Sequence, residues 1–182
     1  MSHTLVIADG SRIHFNKADV ARVFGIPSAG MSIFSKPANI QCCISDLSPP
    51  DAPLNAKHFR SIKVAQGIVS REIEGPMSAI EQGEFRAAFV VFAMSTLLAP
   101  CAKHDRVSDD YMHAIQNPAQ ISSYDWTEYV LRRLLDAVAK LKSDIANNVK
   151  VPYIYGCSLF LQVHSFLLEL SLYSMLISIY LF

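Results

Sequence analysis

YDWTEYVLRRLLDAVAKLKSDIANN, residues 124–148, is the stretch on which the fold class turns. Leu131, Leu134, Val138, Leu141 and Ile145 recur every three or four positions and form one stripe, while Arg132, Arg133, Asp136, Lys140 and Asp144 lie largely off it. That spacing is the 3.6-residue period of an amphipathic helix, with one face for a core and the other for water. Asp125 stands where a side-chain oxygen caps the first free amides. The stripe also fits an a/d heptad, but about two heptads fall short of the three or four that a coiled coil requires.

Upstream, EFRAAFVVFAMSTLLAP (84–100) is nearly apolar from Phe85 to Ala99. About fifteen residues is too short to span a bilayer comfortably but suits a fully buried central helix, which Pro100 then stops. Between these two helices, Ser108 is placed to cap a short helix in DDYMHAIQN (109–117), with two acids in its first turn and Pro118 ending it. Further back, Phe59, Ile62, Ala65 or Gln66, and Val69 give LNAKHFRSIKVAQGIVSREI (54–73) helical spacing, closed by Gly75-Pro76.

The front of the chain reads differently. Leu5, Val6 and Ile7 face Ile13, His14 and Phe15 across Asp9-Gly10, a pair that accepts the positive φ angles of a type I′ turn. A β-hairpin is expected there. It feeds NKADVARVFGIP (16–27), in which Asn16 caps, Val20, Val23 and Phe24 share a face, and Gly25 with Pro27 ends the helix. From Pro27 to Pro53 the prolines at 37, 49, 50 and 53 prevent any long regular element, so this is a Pro-rich loop. The expected fold is mostly α: an irregular helical domain with a small N-terminal β-hairpin and a C-terminal hydrophobic helix.

With 182 residues, 51% of them hydrophobic, the chain is long enough for one sizeable core. Sixteen Lys and Arg balance sixteen Asp and Glu, so no overall field attracts a phosphate backbone, and nucleic-acid binding is not indicated. The opening MSHTLVIADG lacks a basic region followed by an apolar stretch, and Cys42, Cys43, Cys101 and Cys157 have no framework spacing. They read as reduced, intracellular thiols.

The candidate motifs are weak. GIPSAGMS (25–32) spaces its glycines like a phosphate-binding loop, but Met31 stands where such a loop needs Lys, so a helix-ending turn is the better reading. Cys101 precedes His104 by three residues, with His113 further on, yet no second pair at metal-ligand spacing accompanies them. A thiol hydrolase needs a base and a carboxylate converging on sulfur, and no particular His is singled out among the six. Trp126 and Tyr129 suggest either a partner-binding aromatic patch or, more often at this spacing near a helix start, core anchors. No catalytic, cofactor-binding or metal-ligating residue is assigned, and no cofactor is expected.

DGSRIHFNKADVARVFGIPSAG (9–30) resembles the hairpin, acidic-Val helix and Gly-hydrophobic-Pro turn that open the plant mobile domain and its grass relatives. The stretch from Phe85 to Leu141, with GCSLFLQV (156–163), resembles the body of the same set, often labelled aminotransferase-like, plant mobile domain. The similarity covers roughly residues 4–162, and the order of the motifs carries it more than any one of them. The resemblance implies a mostly helical, transposon-associated domain, some host copies of which act in nuclear silencing and genome maintenance, and relatives of which lie upstream of a SUMO-protease-like domain. It implies no aminotransferase chemistry, which needs a Schiff-base lysine in a large cofactor-binding fold.

The chain therefore divides into a helical domain over 1–162 and a divergent tail over 163–182, VHSFLLELSLYSMLISIYLF, where the resembled family continues after LFLQV with a polar stretch similar to LDNLDLG. From Val151 onward the only formal charge is Glu169. Two accounts of the tail stand. Read-through of an unspliced intron, beginning at the Val163 codon, gives an abrupt Leu/Ser/Tyr/Ile-rich ending and a truncated gene product. Alternatively, residues 159–182 form a membrane anchor, since about 20 apolar residues suffice, although a central Glu169 costs roughly 2.5–3.5 kcal/mol on insertion scales. The expected function is a non-enzymatic, transposon-derived domain acting through an unidentified protein partner in the nucleus or cytoplasm. A tail-anchored membrane protein and an orphaned accessory domain of a SUMO-protease-type element are the alternatives.

Overall fold

The computed structural model describes residues 2–6, 10, 12–35, 59–100, 107–150 and 155–168. Most of the Pro-rich loop, the thiols Cys42, Cys43 and Cys101, His104, and the tail from Glu169 lie outside the described residues.

The chain opens with an antiparallel hairpin, β1 (His3–Val6) and β2 (Arg12–Phe15), in the register His3 with Phe15 and Val6 with Arg12. Five residues separate Val6 from Arg12, an odd number, whereas a two-residue Asp9-Gly10 turn in continuous register needs an even one. Gly10 does have a positive φ, 87°, and Asp9 lies outside the described residues.

Helix α1 (Lys17–Phe24) begins and ends as its sequence requires. Asn16 Oδ1 accepts from the Ala18 amide and Asp19 returns a carboxylate oxygen to the Asn16 amide at 2.8 Å. Two of the amides that a helix start leaves open are thereby satisfied. Gly25, at φ 64°, closes the helix in the left-handed conformation. The second glycine of GIPSAGMS has a different task. Gly30, at φ 122°, lies so close to the Ser123 carbonyl that any Cβ would overlap it. That approach lets Met31 donate to Ser123 O and accept from the Asp125 amide, each at 2.9 Å, in a short parallel bridge.

The helix that decides the fold is α4 (Trp126–Ala146), with Asp125 Oδ1 capping the Glu128 amide at 2.9 Å. Asp125 is only 5% exposed, and Lys17 Nζ meets its other oxygen at 2.6 Å, so one carboxylate both starts α4 and ties α1 to it. Thr127 adds a hydroxyl donated to Pro27 O at 2.8 Å. Trp126, Tyr129, Val130, Leu131, Leu134 and Ala137 are buried, while Val138 and Leu141 are half-buried and Ile145 is 62% exposed. The apolar stripe outruns the core, and the last turns of α4 stand clear of it.

Helix α2 (Ile62–Val69) is shorter than its sequence pattern, since Ser61 caps it and Phe59, 2% exposed, packs from the preceding turn. It lies against α3 (Ala79–Ala93), which starts earlier than the apolar run because Ser78 and Glu81 form a capping box ahead of it. α3 loosens into a π-helical turn, Met94–Leu98, closed by the Ala99 amide on Met94 O at 2.8 Å. It is not the fully buried helix its composition suggests. Ala87, Ala88 and Val91 are sealed, but Phe89 is 52% exposed and Leu97 45%. An apolar run without polar punctuation does not reveal which side meets solvent.

Two 3₁₀ segments link α3 to α4. Asp109–Tyr111, capped by Ser108, is all that forms of the predicted 109–117 helix, and Pro118, expected to end that helix, opens a further segment, Pro118–Ser123. Pro118 sits at the first helical position, where its missing N–H costs nothing. Tyr111, Trp126 and Tyr129 pack edge to face beneath these segments, with centroids 6.0 and 5.4 Å apart, so both aromatic candidates are core anchors.

The final described element, α5 (158–168), crosses the expected boundary between domain and tail. Phe160 is fully buried, and its ring meets Phe15 of β2 and Phe24 of α1. One turn on, His164 is 5% exposed, stacks on Phe160 at 5.3 Å, and approaches His14 O with Nε2 at 3.3 Å. The first residues of the divergent tail therefore belong to the core. Among the described residues, no helix is long and apolar enough to cross a membrane.

Candidate functional site

The outer face of α3 and the Pro118–Ser123 segment form the two walls of an open groove of about 290 Å³. The α3 wall is fixed by its sequence: Ala87 and Ala88 are small enough for the inner face to pack closely, which turns Phe85 and Phe89 outward. Those two rings stack on each other, 6.3 Å apart with planes inclined by 17°. Val90, partly buried, forms the floor together with Ile121.

The opposite wall is held by hydrogen bonds rather than by length. Asn117 Oδ1 caps the Ala119 amide at 3.0 Å, Ser123 Oγ donates to Gln120 O at 2.7 Å, and the buried Trp126 indole donates to Ile121 O at 2.6 Å. A short 3₁₀ segment is weak alone, so the indole bond and the Met31 bridge supply the tertiary support. The groove is thus preformed, which lowers the ordering cost of filling it.

Its chemistry is that of contact. Phe85, Phe89, Val90, Pro118 and Ile121 dominate the lining, and Arg86 brings its one formal charge. Arg86 is exposed and has no acidic partner among the described residues. A second apolar surface lies on α5, where Phe166, Leu167 and Leu168 are 58%, 43% and 37% exposed.

Among the described residues, the chemistry-bearing candidates of the sequence do not line this groove. Cys101 and His104 lie outside the described residues, and His113 packs edge-on to Tyr124, with centroids 5.8 Å apart. Among the described residues no three His, Cys, Asp or Glu side chains are placed to hold a metal ion. Cys157 is 1% exposed, and burial pushes its thiol above the ordinary range, which keeps it protonated and a poor nucleophile. The groove residues were legible only indirectly. The Ala87-Ala88 pair marks the packed side, so phenylalanines two positions before and one after belong to the other.

A mostly helical domain with a preformed apolar groove is the class that the geometry defines. Residues 1–162 match a family described as a domain of unknown function (DUF8566), and the chain belongs to that family. No curated protein and no solved structure matches it. The family match ends at Gln162, inside α5 and two residues before the buried His164.

Proposed function

We propose that this chain is a transposon-derived plant domain of the plant-mobile-domain type, non-enzymatic, which works by contact with other proteins in nuclear silencing or genome maintenance. The transposon-derived origin and the nuclear setting rest on the order of motifs along residues 4–162. The contact reading rests on one observation, the exposed Phe89 in a preformed groove whose lining is apolar apart from Arg86 and short polar edges. Exposed aromatic anchors beside a rigid pocket are the usual centre of a protein interface, whereas an active site brings acids, bases or nucleophiles together.

Proximity labelling in intact plant cells with the wild-type chain and with Phe89→Asp tests this. The expected result is a reproducible set of neighbours that Phe89→Asp loses and the surface control Lys142→Ala retains. The same neighbours with all three chains would refute the groove as the contact site, and their cytoplasmic origin would refute the nuclear setting.

A second reading, a tail-anchored protein, draws on the exposed Phe166, Leu167 and Leu168 leading into a segment whose only formal charge is Glu169. Alkaline carbonate extraction decides it: a chain released into the soluble fraction is not anchored.

A further inference from the structure

Between α2 and α3 the chain runs over the surface in a continuous stretch. From Ser70 to Ile80 every residue except Met77 is exposed, and Arg71 to Met77 belong to no helix or strand. Two hydroxyls lie in this stretch, on Ser70 and Ser78, and their surroundings differ. Ser78 has carboxylates on both sides, Glu72 and Glu74 before it and Glu81 and Glu84 after it, the first of these three residues on. Ser70 is followed at once by Arg71, and three residues on by the apolar Ile73.

We infer that Ser78 is a phosphorylation site, the acceptor for a protein kinase whose basic substrate groove selects a carboxylate three residues after the serine. In that step Ser78 Oγ attacks the γ-phosphorus of ATP held by the kinase. The Oγ–P bond forms as the bond to the β-phosphate oxygen breaks, ADP leaves, and the hydroxyl proton passes to the kinase's catalytic carboxylate. Access favours Ser78: its backbone is extended, with φ −63° and ψ 161°, irregular chain precedes it, and Ala79 and Ile80 after it are exposed. A kinase groove can therefore take residues 72–81 by fraying one helical turn that buries little.

The neighbours of Ser78 decide what the phosphate then does. Ser78 Oγ donates to Glu81 Oε2 at 2.8 Å and accepts from the Glu81 amide at 3.3 Å. A phosphate dianion has no proton to donate and brings about two negative charges against the Glu81 carboxylate, so the two anions cannot share the place. Arg71 supplies the counter-charge: its guanidinium already attracts Glu81 and stands 4.0 Å from Glu84. Phosphorylation thus exchanges the Glu81 half of the capping box for a phosphate–Arg71 pair and turns Glu81 to solvent, at the start of the helix that carries Phe85 and Phe89. The inference does not depend on the groove.

Incubation of the folded full chain with ATP and a purified acid-directed kinase, followed by phosphopeptide mass spectrometry, tests this. The wild type is expected to take phosphate on Ser78, Glu81→Gln about tenfold more slowly, and Glu81→Asp, which keeps the charge, at close to the wild-type rate. Ser70→Ala should leave the rate on Ser78 unchanged, and circular dichroism checks that each variant keeps its helical signal. In the phosphorylated chain, a ³¹P titration should show the second ionisation of the phosphate, ordinarily near about 6, moving upward in Arg71→Ala, because a paired guanidinium favours the dianion. Phosphate on other residues but not on Ser78 overturns the inference, and so does phosphate on Ser78 in a free 70–84 peptide but not in the folded chain. Equal rates for wild type and Glu81→Gln would remove the acidic selection and overturn it as well, and a titration midpoint indifferent to Arg71 would overturn the exchange at the helix start.

Discussion

Replacing Gly30 by Ala, with Gly25→Ala as its partner variant, measures how much the bridge between Met31 and the start of α4 contributes. Both glycines have positive φ, 64° at Gly25 and 122° at Gly30, but a Cβ at Gly25 points into open space whereas one at Gly30 overlaps the Ser123 carbonyl. Gly25→Ala therefore carries only left-handed strain of about 1–2 kcal/mol, partly offset by about 0.4–1 kcal/mol from a less flexible unfolded chain. Its expected net cost is below about 1.5 kcal/mol. Gly30→Ala carries backbone strain of about 1–3 kcal/mol. It must also separate residues 30–31 from 123–125, weakening the two 2.9 Å backbone bonds of Met31, each worth about 0.5–1.5 kcal/mol. The sum is roughly 2–6 kcal/mol, and at about 2–4 °C per kcal/mol for a chain of this length the melting temperature falls by roughly 4–24 °C. Thermal and urea unfolding followed at 222 nm give both numbers. If Gly30→Ala costs no more than Gly25→Ala, the close approach at Ser123 does not hold the chain, and the support assigned to the groove wall fails with it.

Three further outcomes are expected. A chain ending after Gln162 loses the buried His164 and its ring contacts with Phe15 and Phe160, so it should be about 2–4 kcal/mol less stable than one ending after Leu168; equal urea midpoints would remove His164 from the core. The Ser78 amide and hydroxyl hold the Glu81 carboxyl below its ordinary value of 4.5, so the capping box contributes above that pH and is lost as the pH falls through the lowered value. Glu81→Gln should therefore be less stable than wild type at pH 7 and indistinguishable at pH 2, and a gap in urea midpoint that survives acid would contradict this. The Cys157 thiol, buried and raised in pKa, should resist iodoacetamide in the folded chain and react fully in denaturant, as read by peptide mass spectrometry.

What was legible in the sequence was local. Asn16 and Asp125 announce helix starts because capping needs only a side chain and the next few amides, and both cap as expected. The α4 stripe gave the helix but not its depth of burial, because periodicity continues to Ile145 regardless of whether anything lies opposite. The groove depended on tertiary facts. Pro118 reads equally as a stop and as a first helical residue, and only the Asn117 cap and the Trp126 bond to Ile121 decide between them. Phe85 and Phe89 carry the same hydrophobicity as a core residue and differ only in facing away from the Ala87-Ala88 contact.

The hydrogen-bonded approach of His164 to His14 also sets an order of events during synthesis. The hairpin is made well before α5, yet two of the rings packed on Phe15, Phe160 and His164, belong to that helix, and His164 follows His14 by 150 residues. At about 5–20 residues per second that interval is roughly 8–30 s. Throughout it, Phe15 lacks the rings of Phe160 and His164, so the nascent chain offers a long window to chaperones and this part of the core is sealed only once α5 is made.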